Sequence, residues 1–409
     1  MGVGMGTRFG RLWVAAAISN LGDGVGLTAF PLLVASLTRD PLVVAGATVA
    51  LEIPWLLFAL PAGALVDRVD RRLAMVSADF VRTVVVAVLA LLALAGNAPI
   101  WAIYAVAFAL STAETVFDPA SEAIVPLVVA RDDLASANSR LQGTNWALNY
   151  FVGPPVGAAM FALIAAVPFF MDSASFLAAA LIVLTLPGSY RSARAARQSV
   201  AAEIRHGVRW LLTHPVLRYT SLLAGLSNLA TTAIVAVFVL FAQDIVGVND
   251  LGYGLLLSTL GAGGLAGALS AGHVVNRIGP AGALRLSACL GAPTTIAIVA
   301  FPHPVVVALG VLVVGVSTSL WNVANITLRQ QLVPDELRGR IAASSRLITW
   351  GSQPVGATLG GVAAAAFGLR APFVLAAAVL SFVALVAFVR VTPGAIAAAG
   401  RAVESGVSA

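Results

Sequence analysis

The residues that most constrain this chain are Gly63 to Arg72, GALVDRVDRR, where five charges crowd against the end of a long apolar run. From Leu42 to Val66 the only charged residue is Glu52, and from Leu73 to Trp101 the only ones are Asp79 and Arg82. At ~1.5 Å per residue, each run is long enough to cross the ~30 Å hydrocarbon core of a bilayer as a helix. The decapeptide therefore reads as a tight cytoplasmic turn between two membrane spans.

Composition excludes most other readings. Of the 409 residues, 59% are hydrophobic and 10% charged, against ~25% charged in soluble domains. The chain has no lysine, so all 24 basic residues are arginine. A Walker-type phosphate loop or a Schiff-base mechanism has no residue to use. A net charge of +6 would suit nucleic acid, but the arginines sit in short loops between apolar runs rather than on one surface. Cys289 is the single cysteine, and the four histidines have no metal-ligand spacing. No nucleophile–base pair or metal cluster is visible, so the chain is expected not to be an enzyme and to use no cofactor. Arg8, Arg11 and Ala15 to Ala17 imitate a signal peptide, but the apolar run continues to Thr38, which predicts an uncleaved first span.

Apolar segments fall at about 11–37, 42–66, 73–96, 99–125, 140–163 and 165–187, then at 215–243, 252–275, 280–301, 303–328, 341–366 and 369–391. This predicts an all-α polytopic membrane protein with twelve transmembrane helices in two six-helix bundles. The expected domains are 1–187, an arginine-rich cytoplasmic linker at 188–214, 215–392, and a cytoplasmic tail at 393–409. Within the linker, Val200, Ile204, Val208 and Leu211 share a helical face beside Trp210, as in an interfacial helix. Alternate loops carry Arg8 and Arg11, the Arg68–Arg72 cluster, Arg131, the linker, Arg277 and Arg285, Arg338 and Arg340, and Arg390. The opposite loops carry Arg39 and Arg370. Positive charge is retained on the cytoplasmic side, which puts both termini there. The two sets of segments also echo each other. Gly63, Asp67 and Arg68 recur as Gly272, Asn276 and Arg277, and GPPVGA at Gly153 recurs within GSQPVGATLGG at Gly351.

At these residues the chain resembles the major facilitator superfamily over all twelve predicted spans. GALVDRVDRR is similar to that family's loop between the second and third helices, with Asp70 standing where glycine is usual. Asp tolerates the left-handed conformation that glycine would supply. The form D-R-x-D-R-R, with LWVAAAISNLGDG and FDPASEAIVP, resembles bacterial exporters of the macrolide-efflux and enterobactin-exporter types. Gly153, Pro154 and Gly157 are similar to the exporters' proline-glycine antiporter motif, with Asn149 and Ala158 in place of two of its glycines. The resemblance implies a conformational latch of Gly63, Asp67, Arg68, Arg71 and Arg72. Asp67 would brace the eleventh span near Arg340 or Arg346, and Arg71 or Arg72 would meet Asp118 or Glu122.

An ionised group at the bilayer centre costs ~2.5–3.5 kcal/mol on insertion scales, so intramembrane acids need a reason. Asp23, Glu52, Glu114, Asp118 and Asp172 fall in spans of the first half, and none falls well inside a span of the second. Asp23, Glu114 and Glu52 are the candidates for proton coupling; the alternative for each is a fixed hydrogen bond that only orders helix packing. Asp172, near the outer end of its span, is expected to be interfacial. Candidate substrate-cavity residues are Asn20, Asn228, Thr232, Trp321, Asn322 and Asn325, with Trp146, Asn149 and Trp350 as further candidates and helix packing the competing role. No basic residue is placed to hold an anionic substrate. GAGGLAGALSAG at Gly261 reads as close helix packing, not as a nucleotide loop. The expected function is proton-coupled export of small amphipathic or cationic organic molecules by alternating access, the proton gradient replacing any cofactor. The expected partners are a small-molecule substrate, protons and the bilayer, with no nucleic acid. The protein is expected to be a monomer in a bacterial plasma membrane. Alternatives are ion-coupled nutrient uptake and a non-transporting sensor or scaffold.

Overall fold

The computed structural model of the protein describes the backbone of residues 6–191, 200–333 and 338–404, and the side chains of these except 200–206, 338–340, 342, 343, 400 and 402–404. The described residues are predominantly helical, joined by short turns, and contain no strands. In order they are α1 Thr7–Leu37, α2 Pro41–Val66, α3 Arg71–Leu94, α4 Ile100–Val128, α5 Leu134–Thr144, α6 Gly153–Leu163, α7 Val167–Leu184, α8 Val200–Thr213, α9 Leu217–Val235, α10 Phe238–Leu240, α11 Asp250–Ala300, α12 Pro304–Leu332, α13 Arg338–Phe367, α14 Ala371–Arg390 and α15 Pro393–Glu404. Each predicted apolar segment falls on helix. Eight described helices are individually long and apolar enough to span, and α9 with Phe238–Ile245, bent by 48°, makes a ninth if the pair is counted as one span.

The breaks have local causes. α11 turns at Gly279, whose φ of 73° lies in the left-handed region closed to most side chains, and Pro280 then restarts the helix. Asn145–Val152, between α5 and α6, is π-helical, a wider winding that the apolar pattern does not announce. α8 forms where the linker's amphipathic face predicts it.

The chain groups into two compact units. The first comprises Met1–Arg39, Ala50–Arg197 and Val248–Gly261, and the second Asp40–Val49, Gln198–Gly247 and Ala262–Ala409. In the first unit α1 packs on α6 and α7, and α3 packs on α4 and α7. Phe9, Leu12, Met75, Ile124 and Val183 form part of its buried core. Where lipid replaces water there is little hydrophobic gain in joining helices, so close backbone approach must do the work. An ideal Cβ on Gly153 would lie 2.5 Å from Gly24 Cα, and one on Gly157 would lie 2.9 Å from Val25 Cα, so α6 seats directly on α1. In the second unit α9 packs on α13 and α14. The glycine run does close packing here: Cβ atoms on Gly263 and Gly267 would meet the backbone of Leu312 and Val316 in α12. The outward face of α14 keeps Phe382, Leu385 and Phe388 more than half exposed, as a lipid-facing surface requires.

Candidate functional site

The turn before α3 is built differently from the expectation of a left-handed residue. Asp70 has φ −70° and ψ 120°, and it is the N-cap of α3. Its Oδ1 accepts from the N–H groups of Arg72 at 3.0 Å and Leu73 at 3.4 Å, and its Oδ2 accepts from Ser189 Oγ and the Tyr190 N–H, both at 2.9 Å. Aspartate is needed here for its four acceptor bonds, which glycine could not supply. Burial pushes the Asp70 carboxyl up, but these bonds outweigh it and hold the group below the usual carboxylate range. Arg72 Nη1 donates to the Leu186 carbonyl at 2.6 Å, beyond the C-terminal end of α7. The Arg71 N–H donates to the Tyr190 carbonyl at 3.4 Å. Asp67 and Arg68 are exposed, and nothing lies within 4 Å of a Cβ built on Gly63. The side chain of Arg340 lies outside the described residues.

Deeper in the first unit, acids from several helices converge on an arginine that sequence reasoning passed over. Arg82 of α3 is 2% exposed. Its Nη1 lies 3.5 Å from Asp79 Oδ1, one turn earlier, and its Nη2 lies 3.9 Å from Glu114 Oε1 of α4. The guanidinium carbon sits 4.5 Å from the Phe117 ring centre and 5.2 Å from that of Phe176, a cation–π setting. Asp23 of α1 and Asp118 of α4 also lie within electrostatic range of Arg82. Ser19 Oγ donates to Asp23 Oδ2 at 3.5 Å. The Trp55 indole of α2 donates to Glu114, and Glu52 interacts with Glu114. The Tyr150 hydroxyl of the π-helical segment faces Glu114, Asp23, Asp118 and Glu52 together. The three acids expected to couple protons therefore share one neighbourhood. The signal for the missed pair was present: Asp79 and Arg82, opposite charges at i, i+3 spacing, are the only ions in their apolar run.

Asp172 corrects another expectation. It is 1% exposed rather than interfacial, because α7 packs on α1 at two glycines. Its Oδ1 and Oδ2 lie 2.8 Å and 3.0 Å from ideal Cβ positions on Gly22 and Gly26.

The polar residues proposed for a cavity divide in role. Asn20 accepts from Asn145 Nδ2 at 3.1 Å, joining α1 to the π-helical segment, and Asn228 Nδ2 donates to the Thr349 carbonyl at 3.0 Å, joining α9 to α13. Thr232 is 6% exposed. Trp321 packs against the core of the second unit, Asn322 is exposed, and Asn325 Oδ1 is buried with no hydrogen-bond partner among the described residues. Gly153, Pro154 and Gly157 are buried against α1, and a Cβ on Gly254 of α11 would lie 2.6 Å from the Pro154 carbonyl oxygen. No group of three or more metal-ligating side chains occurs among the described residues. Arg82 is a buried base, but acids surround it, so it offers no open seat for an anion.

The family described as transmembrane secretion effectors matches residues 5–402. The multidrug efflux pump Tap of Mycolicibacterium fortuitum is 29% identical, the alignment covering 88% of this chain and 90% of that protein. Macrolide efflux protein A of Streptococcus pyogenes is 26% identical over 38% of each chain. Among solved structures, the nucleoside transporter NupG superposes with a TM-score of 0.75 at 12% identity, covering 94% of this chain and 99% of its own. A bacterial homologue of the iron transporter ferroportin, inward-facing, gives 0.75 at 17% identity, covering 94% and 98%. At such identities these two structures establish the fold. Matched along almost its whole length and folded as these transporters are, the chain belongs to the transmembrane secretion effector family of the major facilitator superfamily, whose members are multi-pass membrane transporters of small molecules and not enzymes.

Proposed function

We propose that the protein exports small amphipathic or cationic organic molecules from a bacterial cell in exchange for protons, by alternating access. The observation that carries this reading is charge imbalance inside the membrane: Asp23, Asp79, Glu114 and Asp118 lie within electrostatic range of the Arg82 guanidinium, and Glu52 adds a further acid beside Glu114. One cation cannot balance several carboxylates in a medium of low dielectric, and unbalanced charge there costs several kcal/mol. A proton or a cationic substrate can supply the remainder, and exchange of one for the other is antiport. Asp23, Glu114 and Glu52 are the coupling residues in this reading. Tap and macrolide efflux protein A, both described as efflux proteins, support export as the direction.

The remaining assignments belong to the same proposal. Asn20, Asn228, Thr232, Trp321, Asn322 and Asn325 are the residues assigned to substrate contact. Gly63, Asp67, Arg68, Arg71 and Arg72, with Asp118 and Glu122, form the cytoplasmic latch in this reading. The protein acts as a monomer in the plasma membrane with both termini cytoplasmic. The test is substrate-driven proton movement in proteoliposomes, comparing wild type with Asp23→Asn and Glu114→Gln over a panel of cationic drugs, macrolides and siderophores. Loss of coupling in both variants is expected. Normal coupling in both would remove the site assignment, and inward, proton-driven accumulation would turn the direction to uptake.

A further inference from the structure

A guanidinium carries five N–H donors, and a well-made charge-assisted contact measures ~2.7–2.9 Å. Arg82 reaches neither of its acids that closely. It stands 3.5 Å from Asp79 and 3.9 Å from Glu114, and its Nε and Asp79 Oδ2 are buried without hydrogen-bond partners among the described residues. The two acids are unlike each other. Asp79 is sealed at 0% exposure, while the Glu114 side chain keeps 30%. Phe117 and Phe176 bear on the guanidinium, their ring centres 4.5 and 5.2 Å from its carbon, so aromatic faces rather than a tight ion pair hold much of its charge. A cation shared between a closed carboxylate and an open one is poised to move.

We infer that Arg82 is a tethered counter-cation that governs proton loading at Glu114: a proton arriving there releases the guanidinium to close on Asp79, and its return to Glu114 expels the proton. The inference rests on the proton-coupled reading above and assigns Arg82 a positioning role, acting through Glu114. In each half-cycle one O–H bond forms on, or breaks from, the Glu114 carboxyl, the proton coming from or returning to water. The charged and titratable groups facing Glu114 are Asp23 from α1, Glu52 from α2, Arg82 from α3, Tyr150 from the π-helical segment and, through space, Asp172 from α7; Asp118 lies one turn along α4 itself. Among these only Arg82 is a cation, so it alone competes with a proton for that carboxylate.

The test is infrared pH titration of the purified protein in lipid, following the protonated carboxyl band identified by its loss in Glu114→Gln. It needs no substrate. Removing one member of a buried pair strands the other, so the variant is Asp79→Leu with Arg82→Leu, repeated as the near-isosteric Asp79→Asn with Arg82→Gln; Arg82→Lys keeps the charge. Removing a cation at this range should carry the band's midpoint about 1 to 3 pH units higher in both double variants, with Arg82→Lys staying near wild type. An unchanged midpoint in the double variants, or a shift as large in Arg82→Lys, overturns the inference. Wild-type proton-driven transport, measured separately in proteoliposomes, reports on the function alone. A shifted band in a protein that moves no substrate would preserve the role of Arg82 and remove the proposed antiport.

Discussion

Replacing Asp70 by glycine restores the residue usual in the family's loop, and the structure predicts that it harms the protein. If the position required a left-handed backbone, Asp70→Gly would be neutral or stabilising. The observed φ of −70° leaves glycine nothing to relieve. As an N-cap, glycine costs only a few tenths of a kcal/mol relative to aspartate. The larger loss is the carboxylate's hold on Ser189 Oγ and the buried Tyr190 N–H, each at 2.9 Å. Bonds to a charged acceptor contribute ~1.5–3 kcal/mol each. Taking the low end for both gives about 3 kcal/mol, or roughly 6 to 12 °C in a domain of this size. Asp70→Asn keeps one acceptor oxygen and should lose about half as much. The assay is thermal unfolding of the purified protein in detergent, with hydrogen exchange at the Arg72, Leu73 and Tyr190 amides as the local readout. Protection should fall at all three amides. An Asp70→Gly variant that melts with or above wild type would refute the reasoning. The same bonds predict a pH dependence. Because the folded carboxyl lies below its unfolded value, the stabilisation is complete above the ordinary carboxylate range near 4 and is lost as pH falls through the folded value.

Two further outcomes are expected. Gly153→Ala sets a methyl against the α1 backbone at Gly24, where an ideal Cβ already sits at 2.5 Å from Cα; overpacking of this kind costs about 1–3 kcal/mol, read as a lower melting temperature, and an unchanged one would contradict the α1–α6 contact. His214 Nδ1 accepts from the Val216 and Leu217 N–H groups at 3.2 and 3.1 Å beside Trp210, and burial lowers its pKa to about 4 from 6.5. Its contribution is therefore complete above pH 6.5 and declines between pH 6.5 and 4; His214→Gln should flatten the stability–pH curve in that window, and an unaltered curve would remove the cap.

The apolar segments were legible because membrane insertion reads hydrophobicity over ~20 consecutive residues, a property of local sequence. The fifth segment illustrates the limit. Its apolar character at 140–163 is plain, yet nothing in it declares that Asn145–Val152 winds as a π-helix and turns Tyr150 toward the acids. Asp23, Glu52 and Glu114 stood out one by one, since charge in an apolar run is conspicuous.

Arg82, which Asp23 and Glu114 share, did not stand out, because the pairing is set across helices. Arg82 meets Asp79 along α3, Glu114 from α4 and the rings of Phe117 and Phe176 from α4 and α7, residues up to 94 positions away. The same holds for Asp70, whose partners Ser189 and Tyr190 follow α7, and for Asp172, which the glycines of α1 bury. By itself the sequence determined that the chain crosses a membrane many times, where the spans lie and which spans carry acid, since each follows from the free energy of a short segment in lipid. Only the tertiary structure decided which charges meet, because a hydrogen bond or ion pair depends on ångström-scale approach between segments, and that approach is set by where small residues let helices touch.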